Sequence, residues 1–243
     1  MSAEPALTVA IDRVRFAWKK GQRDVLDIAR FAVAAGERVF IDGPSGSGKS
    51  TLLSLIGGVT SPREGVVRIL GADISRMPSR HRDRFRADHV GFVFQMFNLV
   101  PYLSMVDNVT LPCRFSRRRR ERAGARTGTP EAEARRLLAR LGLDRDDLLS
   151  RAVTDLSIGQ QQRVAAARAL IGAPELIVAD EPTSALDEGT RGRFLDLLSA
   201  QCDEAGSSLL FASHDTRLGG AFDRRESLPE LNRADSGPNG RAA

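Results

Sequence analysis

Apolar and polar positions alternate at the start of the chain. Leu7-Thr8-Val9-Ala10-Ile11 and then Val14, Phe16 and Trp18 give way to the polar Lys19-Lys20-Gly21-Gln22, before apolar residues resume up to about Val33. A period of two around a polar break predicts β-hairpin material. Arg38-Val39-Phe40-Ile41-Asp42 predicts a further short strand, and Ser50 to Ile56 supplies the apolar residues of a helix. The β-branched run within Gly65-Val66-Val67-Arg68-Ile69-Leu70 predicts another strand. Met77 to Asp88 is polar and charged, as a loop or a solvated helix would be, and strand character returns at Val90-Gly91-Phe92-Val93-Phe94.

The pattern changes after Phe97. Thr129-Pro130-Glu131 places threonine at an N-cap and proline at the first helical position. Ala134, Leu137, Leu138 and Leu141 follow at helical spacing, and Gly142 supplies a stop. Gln160 to Ile171 is compatible with a second helix behind the N-cap Ser157, and apolar strands follow at Leu176–Asp180 and Ser208–Ala212. These elements predict one domain over 1–231, with a helical lobe inserted at about 97–172. From Asn232 to the end, core-forming residues are lacking, and a disordered tail is expected over 232–243. At 243 residues the chain can bury a sizeable core, whereas two independent domains would be cramped.

The chemistry starts at Gly43-Pro44-Ser45-Gly46-Ser47-Gly48-Lys49-Ser50-Thr51. This matches G-x-x-x-x-G-K-[ST], in which glycines let backbone N–H groups cradle phosphate oxygens while the lysine and hydroxyl reach the terminal phosphates and Mg²⁺. A strand before and a helix after aim a helix N-terminus at the anion. Leu176-Ile177-Val178-Ala179-Asp180-Glu181-Pro182 ends a second apolar strand in two carboxylates, which alternation points in different directions. Asp180 then suits a Mg²⁺ ion, and Glu181 the orientation or deprotonation of an attacking water. Leu156-Ser157-Ile158-Gly159-Gln160 is a third motif, which as a bare pattern is only a capped helix start.

Composition narrows the setting. The net charge is +5, and every cation except Lys19, Lys20 and Lys49 is an arginine. The densest cluster, Arg117-Arg118-Arg119-Arg120 with Arg114, Arg122 and Arg126 nearby, is expected to be a solvated loop, because no regular aromatic interleaving accompanies it as a nucleic-acid surface requires. Cys113 and Cys202 belong to no C-x-x-C pattern, so neither a disulfide framework nor a zinc site is indicated. No signal peptide is recognisable, and no stretch reaches the ~18 apolar residues of a membrane span. A cytosolic chain is expected, with any membrane role coming through a partner.

Taken in order, the loop at 43–51, Gln95, the motif at 156–160, Asp180-Glu181, Ser184-Ala185-Leu186-Asp187 and His214 resemble the nucleotide-binding subunits of ABC transporters, over about Leu7 to Asp223. The resemblance implies an α/β fold, with a P-loop NTPase core, an N-terminal antiparallel β subdomain and the inserted α-helical lobe. It implies ATP and Mg²⁺ as cofactors. Trp18 would stack on adenine, with Phe16 as the fallback; Gly43 to Thr51 would wrap the phosphates; Ser50, Gln95 and Asp180 would complete the metal and water shell. Glu181 would be the catalytic carboxylate, His214 would hold the γ-phosphate, and Asp187 would communicate across a dimer. Ser157, Gly159 and Gln160 would meet the ATP held by a second copy of the chain. Where the family usually has a glycine, this chain carries Ile158.

Phe94-Gln95-Met96-Phe97-Asn98-Leu99-Val100-Pro101, Asp107-Asn108-Val109 and the 180–187 run are similar to the bacterial branch of lipoprotein-release, macrolide-efflux and cell-division ATPases. That branch implies an integral membrane permease as partner, at the cytoplasmic face of the bacterial inner membrane. Met96, Phe97, Leu99, Val100, Tyr102 and Leu103 would then line the groove for a cytoplasmic helix of the permease. The second reading is a soluble ABC ATPase acting as a nucleotide-gated regulator or on nucleic acid. Very long coiled-coil insertions mark the chromosome-organising members, and 52–155 shows no sustained heptads.

Overall fold

Side-chain alternation sorts the apolar runs onto two faces, and that sorting organises the computed structural model, which describes residues 6–144 and 152–234. The central sheet has five parallel strands in the order β6 (Val90–Val93), β7 (Leu176–Asp180), β8 (Ser208–Ser213), β3 (Arg38–Asp42) and β9 (Arg224–Ser227). Val39, Ile41, Leu176, Val178, Leu210 and Ala212 face one core, while Phe40, Ile177, Ala179, Leu209 and Phe211 face the other. Strands covered on both sides must be apolar throughout, which is why β7 and β8 read as unbroken hydrophobic runs.

The first core is closed by an antiparallel sheet ordered β2 (Leu26–Ala34), β1 (Leu7–Phe16), β4 (Glu64–Ile69), β5 (Ala72–Asp73). β1 and β2 form the expected hairpin, with Val9 opposite Val33 and Phe16 opposite Leu26. Helix α1 (Lys49–Ile56) packs against β4, β7 and β8, burying Leu52, Leu53, Leu55 and Ile56. At roughly 1.5–3 kcal/mol per buried side chain, packing rather than intrinsic propensity holds so short a helix.

The second core lies beneath the helical lobe of α3 (Met105–Thr110), α4 (Pro112–Phe115), α5 (Arg117–Thr127), α6 (Pro130–Arg140) and α7 (Ile158–Leu170), and beneath α8 (Glu188–Ala205). α6 begins as the sequence predicts: the Thr129 hydroxyl accepts a hydrogen bond from the Ala132 N–H at 3.1 Å, and Pro130 occupies the first turn. The end of α7 rests directly on β6, because a Cβ on Gly91 would stand 2.2 Å from the Ala169 carbonyl oxygen. Asn108 is fully buried and holds the 100–104 turn, accepting from the Val100 N–H (2.8 Å) and donating to the carbonyls of Val100, Leu103 and Ser104 at 3.0–3.2 Å.

The polar segment after Met77 takes the solvated-helix form, as α2 (Ser79–His89) with no buried residue. Two expectations change. The arginine run is not a solvated loop: Arg117–Thr127 is α5, started by the Ser116 hydroxyl accepting from the Arg119 N–H at 3.0 Å. Arg119 is buried, donating to the carbonyls of Ile171 (2.7 Å) and Ala169 (2.5 Å) at the C-terminus of α7, and burial pulls its pKa down to about 10. Arg118 and Arg122 reach Glu175 at 2.6 and 2.7 Å. The charge density therefore serves helix packing. Last, the fold includes Asn232, which is buried, accepts from the Asp27 N–H (2.8 Å) and donates to the Val25 carbonyl (2.9 Å). Residues 235–243 of the expected tail lie outside the described residues.

Glu175 links α2, α5 and the start of β7, since His89 Nδ1 also lies 2.8 Å from its carboxylate. Burial pushes the Glu175 carboxyl up, but hydrogen bonds from His89 and Arg118 outweigh it and hold the pKa down at about 2. A depressed pKa stabilises the fold above the ordinary carboxylate range, and that contribution is lost as pH falls towards 2. Glu175→Gln should destabilise the protein by roughly 1–3 kcal/mol at pH 7. The gap to wild type should close between about pH 4.5 and 2 in urea-melt series; a gap that persists at the acid end would contradict the assignment.

Candidate active site

β3 ends at Asp42 and the chain turns through Gly43 to Gly48 into α1. Gly48 is the N-cap at φ +101°, and a Cβ there would stand 3.0 Å from Leu26 Cδ2, so both conformation and space require glycine. The loop closes on its own lysine. Lys49 Nζ donates to the carbonyls of Gly43 (2.7 Å) and Pro44 (3.1 Å) and lies 3.3 Å from Glu181 Oε1, with the side chain only 6% exposed. The Ser47 hydroxyl is buried with no hydrogen-bond partner.

The end of β7 supplies the carboxylates. Burial raises the pKa of Asp180 against the lowering effect of the nearby Ser50 hydroxyl. Asp180 Oδ1 is buried and without a partner. Glu181 departs from strand geometry with φ +46°, its N–H donating to the Ala212 carbonyl at 2.9 Å. A left-handed backbone at a non-glycine residue is strained. Its effect is to swing the Glu181 carboxylate between Lys49 and His214, whose Nδ1 is 2.6 Å from Oε2. The divergence that alternation predicts for the pair is thus present, and is set by this turn.

Lys49, Glu181 and His214 line a cleft of about 410 Å³ with Trp18, Val25, Ser45, Gly46, Gly48, Ser50, Thr51 and Gln95, whereas Asp180 is not on its surface. Trp18 is 61% exposed and Phe16 is buried beneath it, edge-on at 5.0 Å, so the structure puts Trp18 rather than Phe16 on the cleft. Gly43 and Pro44 contribute carbonyls to the lysine behind it.

Ser157, Gly159, Gln160 and Asp187 are not on this cleft. They form a second group at the starts of two helices. The Ser157 hydroxyl accepts from the Gln160 N–H (3.3 Å) and the Gln160 amide oxygen accepts from the Ser157 N–H (2.8 Å), a capping box. Asp187 caps α8 through the Thr190 N–H at 2.9 Å, and Gly159 faces Leu186 and Thr190. Ile158 stands in solvent, 53% exposed. Of the apolar residues expected to line a partner groove, Met96 and Tyr102 are exposed, but Phe97 is buried in the lobe core and Leu99 packs against it.

Sequence reasoning passed over Arg191 and Asp215. Arg191 pairs with Asp215 and donates to the Leu186 carbonyl at 3.0 Å, while Arg217 reaches Asp215 at 2.9 Å and holds its carboxyl far below the usual range. This ties the segment carrying His214 to the first turns of α8. The acid beside His214 was visible in the chain, but its partner on α8 was not.

A lysine-bearing glycine loop between parallel strand and helix, with a histidine after the neighbouring strand β8 and carboxylates at the end of the next one, β7, defines a P-loop nucleoside triphosphatase. The ABC transporter family model matches residues 26–184, and the chain belongs to that family. It is 41% identical to an uncharacterized ABC transporter ATP-binding protein of Mycobacterium tuberculosis over 89% of this chain and 84% of that one. It is also 41% identical to the lipoprotein-releasing system ATP-binding protein LolD of Novosphingobium aromaticivorans, over 85% and 88%. Among solved structures, the ATP-binding cassette MJ0796, a dimer in a post-hydrolysis state bound to ADP and Pi, superposes with a TM-score of 0.77 at 34% identity, covering 93% and 95% of the two chains. The chain is an ATP-hydrolysing, nucleotide-binding subunit of the transporter class, with the α/β cassette fold.

Trp18 is the only tryptophan in the chain, so its emission should report the cleft directly. Titration with Mg-ATP should change its fluorescence saturably, and Lys49→Ala should abolish the change. A response unaltered by Lys49→Ala would remove Lys49 from nucleotide binding at this cleft.

Proposed function

We propose that two copies of this chain close on two ATP molecules and drive an integral membrane permease of the mechanical, lipoprotein-release or efflux type, from the cytoplasmic face of the bacterial inner membrane. The observation that carries the reading is the position of Glu181, shared between Lys49 and His214 at the mouth of the loop. Binding of the triphosphate supplies Lys49 with anionic partners in place of the loop carbonyls and Glu181. Glu181 is then free to orient and accept a proton from the attacking water, and His214 to meet the γ-phosphate. Trp18 stacks on the adenine.

The residues also fit Mg²⁺. Ser50, Gln95 and Asp180 offer hard oxygen donors, and the buried, partnerless Oδ1 of Asp180 is the kind of atom a cation satisfies. When bound, Mg²⁺ neutralises the phosphate charge that develops during hydrolysis. Ser157, Gly159, Gln160 and Asp187 lie off the cleft of their own chain, as they must if each serves the ATP of the second copy. The exposed Ile158 stands between Ser157 and Gly159, where the family's glycine is replaced, and the second copy covers it in the closed state.

For the permease, a groove of about 640 Å³ runs between α2 and the lobe, with Phe92, Phe94, Pro112 and Phe115 as its apolar wall and Arg84 and Asn98 among its polar residues. An amphipathic helix of a partner fits such a surface. No helix among the described residues is long and apolar enough to cross a membrane.

Glu181→Gln should retain ATP and migrate as a dimer in Mg-ATP, with turnover reduced by about 10²-fold or more, while Lys49→Ala should remain monomeric. Turnover equal to wild type in both variants would remove these roles. Affinity capture of the Glu181→Gln form from solubilised host membranes should recover a permease only when Mg-ATP is present. Recovery of a soluble or nucleic-acid partner instead would favour a regulator.

A further inference from the structure

Immediately after Gln95 the backbone is strained twice in succession. Phe97 (φ +57°) and Asn98 (φ +48°) are consecutive non-glycine residues in the left-handed region. Asparagine visits that region with some ease, but a bulky residue such as phenylalanine does not. The turn is tight: the Phe97 N–H donates to the Phe94 carbonyl at 3.0 Å and the Asn98 N–H to the Met96 carbonyl at 2.6 Å. Phe97 cannot relax outward, because its side chain is buried in the lobe core. A strained turn persists only where its surroundings over-determine it.

The remaining determinant is Arg168, in the last turn of α7. Its Nη1 donates to the Asn98 carbonyl at 2.6 Å and its Nη2 to the Phe97 carbonyl at 2.5 Å. No carboxylate pairs with it among the described residues, so a half-buried guanidinium is satisfied by two neutral carbonyls of the strained turn. Only a planar, forked donor spans both at once. The other side of this helix end is fixed by Arg119, which donates to the carbonyls of Arg168, Ala169 and Ile171. The opposite end of α7 carries Ser157 and Gly159.

We propose that Arg168 is a positioning residue for ATP hydrolysis: its two-carbonyl clamp selects the left-handed Phe97-Asn98 turn and thereby holds Gln95 on the nucleotide cleft in register with the start of α7. This rests on the role given above to Gln95. Without the clamp the turn relaxes and Gln95 leaves the cleft, while the loop and Trp18, which bind nucleotide, are untouched.

The test compares kcat, ATP affinity from Trp18 emission and thermal melting for Gln95→Ala, Arg168→Gln, Arg168→Lys and the double variant Arg168→Gln/Asn98→Gly. Arg168→Gln should lower kcat by about tenfold with ATP affinity within about twofold of wild type. Arg168→Lys, which can reach one carbonyl but not hold both, should be intermediate. Glycine adopts the left-handed turn without help, so Asn98→Gly should restore at least about threefold of the rate lost in Arg168→Gln. If Arg168→Gln does not fold, the lysine variant alone carries the comparison of kcat against affinity. A normal kcat in the Arg168 variants, a parallel loss of affinity, rate and melting temperature, or no rescue by glycine overturns the clamp. Normal turnover in Gln95→Ala overturns the role of Gln95 and the inference with it, whereas slow Gln95→Ala beside normal Arg168→Gln overturns the inference alone.

Discussion

A lysine ammonium buried at the end of β3 is the constraint around which the catalytic end of the sheet is arranged. Unpaired, a charge at 6% exposure would cost several kcal/mol. The loop curls back so that the Gly43 and Pro44 carbonyls accept from it, and Glu181 approaches from the end of β7. Glu181 in turn adopts its left-handed backbone and draws His214 from the end of β8. Three neighbouring strands are thereby joined at their ends by one network. Each bond in it is to a group that can exchange its partner for a phosphate or a water, so the network is both structural and replaceable.

α7 has the complementary property of not yielding. Its first turn is closed by the Ser157–Gln160 capping box and its last turn by Arg119, while Gly91 lets it lie against β6 without an intervening side chain. Orphan carbonyls at a helix end are usually left to water, and here a buried guanidinium takes them. The helix is thus held at both ends between the two groups of functional residues.

Much of this was legible in the chain. Strand alternation predicted the hairpin, apolar runs predicted strands at β3, β6, β7 and β8, and the Thr129-Pro130 pair predicted the start of α6, because those signals are local. The glycine loop, Asp180-Glu181, Gln95 and His214 were found as motifs, and most of the loop lines one cleft with Glu181, Gln95 and His214. What escaped was non-local. The arginine run looked like a solvated loop because Glu175 and the carbonyls of Ala169 and Ile171, which order it, lie some fifty residues further on (|i−j| of 57 for Arg118 to Glu175 and 50 for Arg119 to Ala169). Asn232 looked like the start of a tail because its partners, Val25 and Asp27, are at the other end of the chain. Left-handed backbone at Glu181 and Phe97 has no sequence signal, since neither is glycine or asparagine.

The preference for arginine has a consequence for the chemistry of the surface. Wherever a guanidinium fork spans two backbone oxygens, as at Arg119 and Arg168, lysine could not substitute, and lysine side chains survive only at 19, 20 and 49. Lys49 is buried, whereas Lys19 and Lys20 stand exposed at the hairpin tip beside Trp18. Among the described residues, amine-directed crosslinkers and sensor-surface coupling therefore attack that tip alone. A molecule immobilised through these side chains is tethered by the rim of its nucleotide cleft, and the buried Cys113 and Cys202 offer no thiol as an alternative point of attachment.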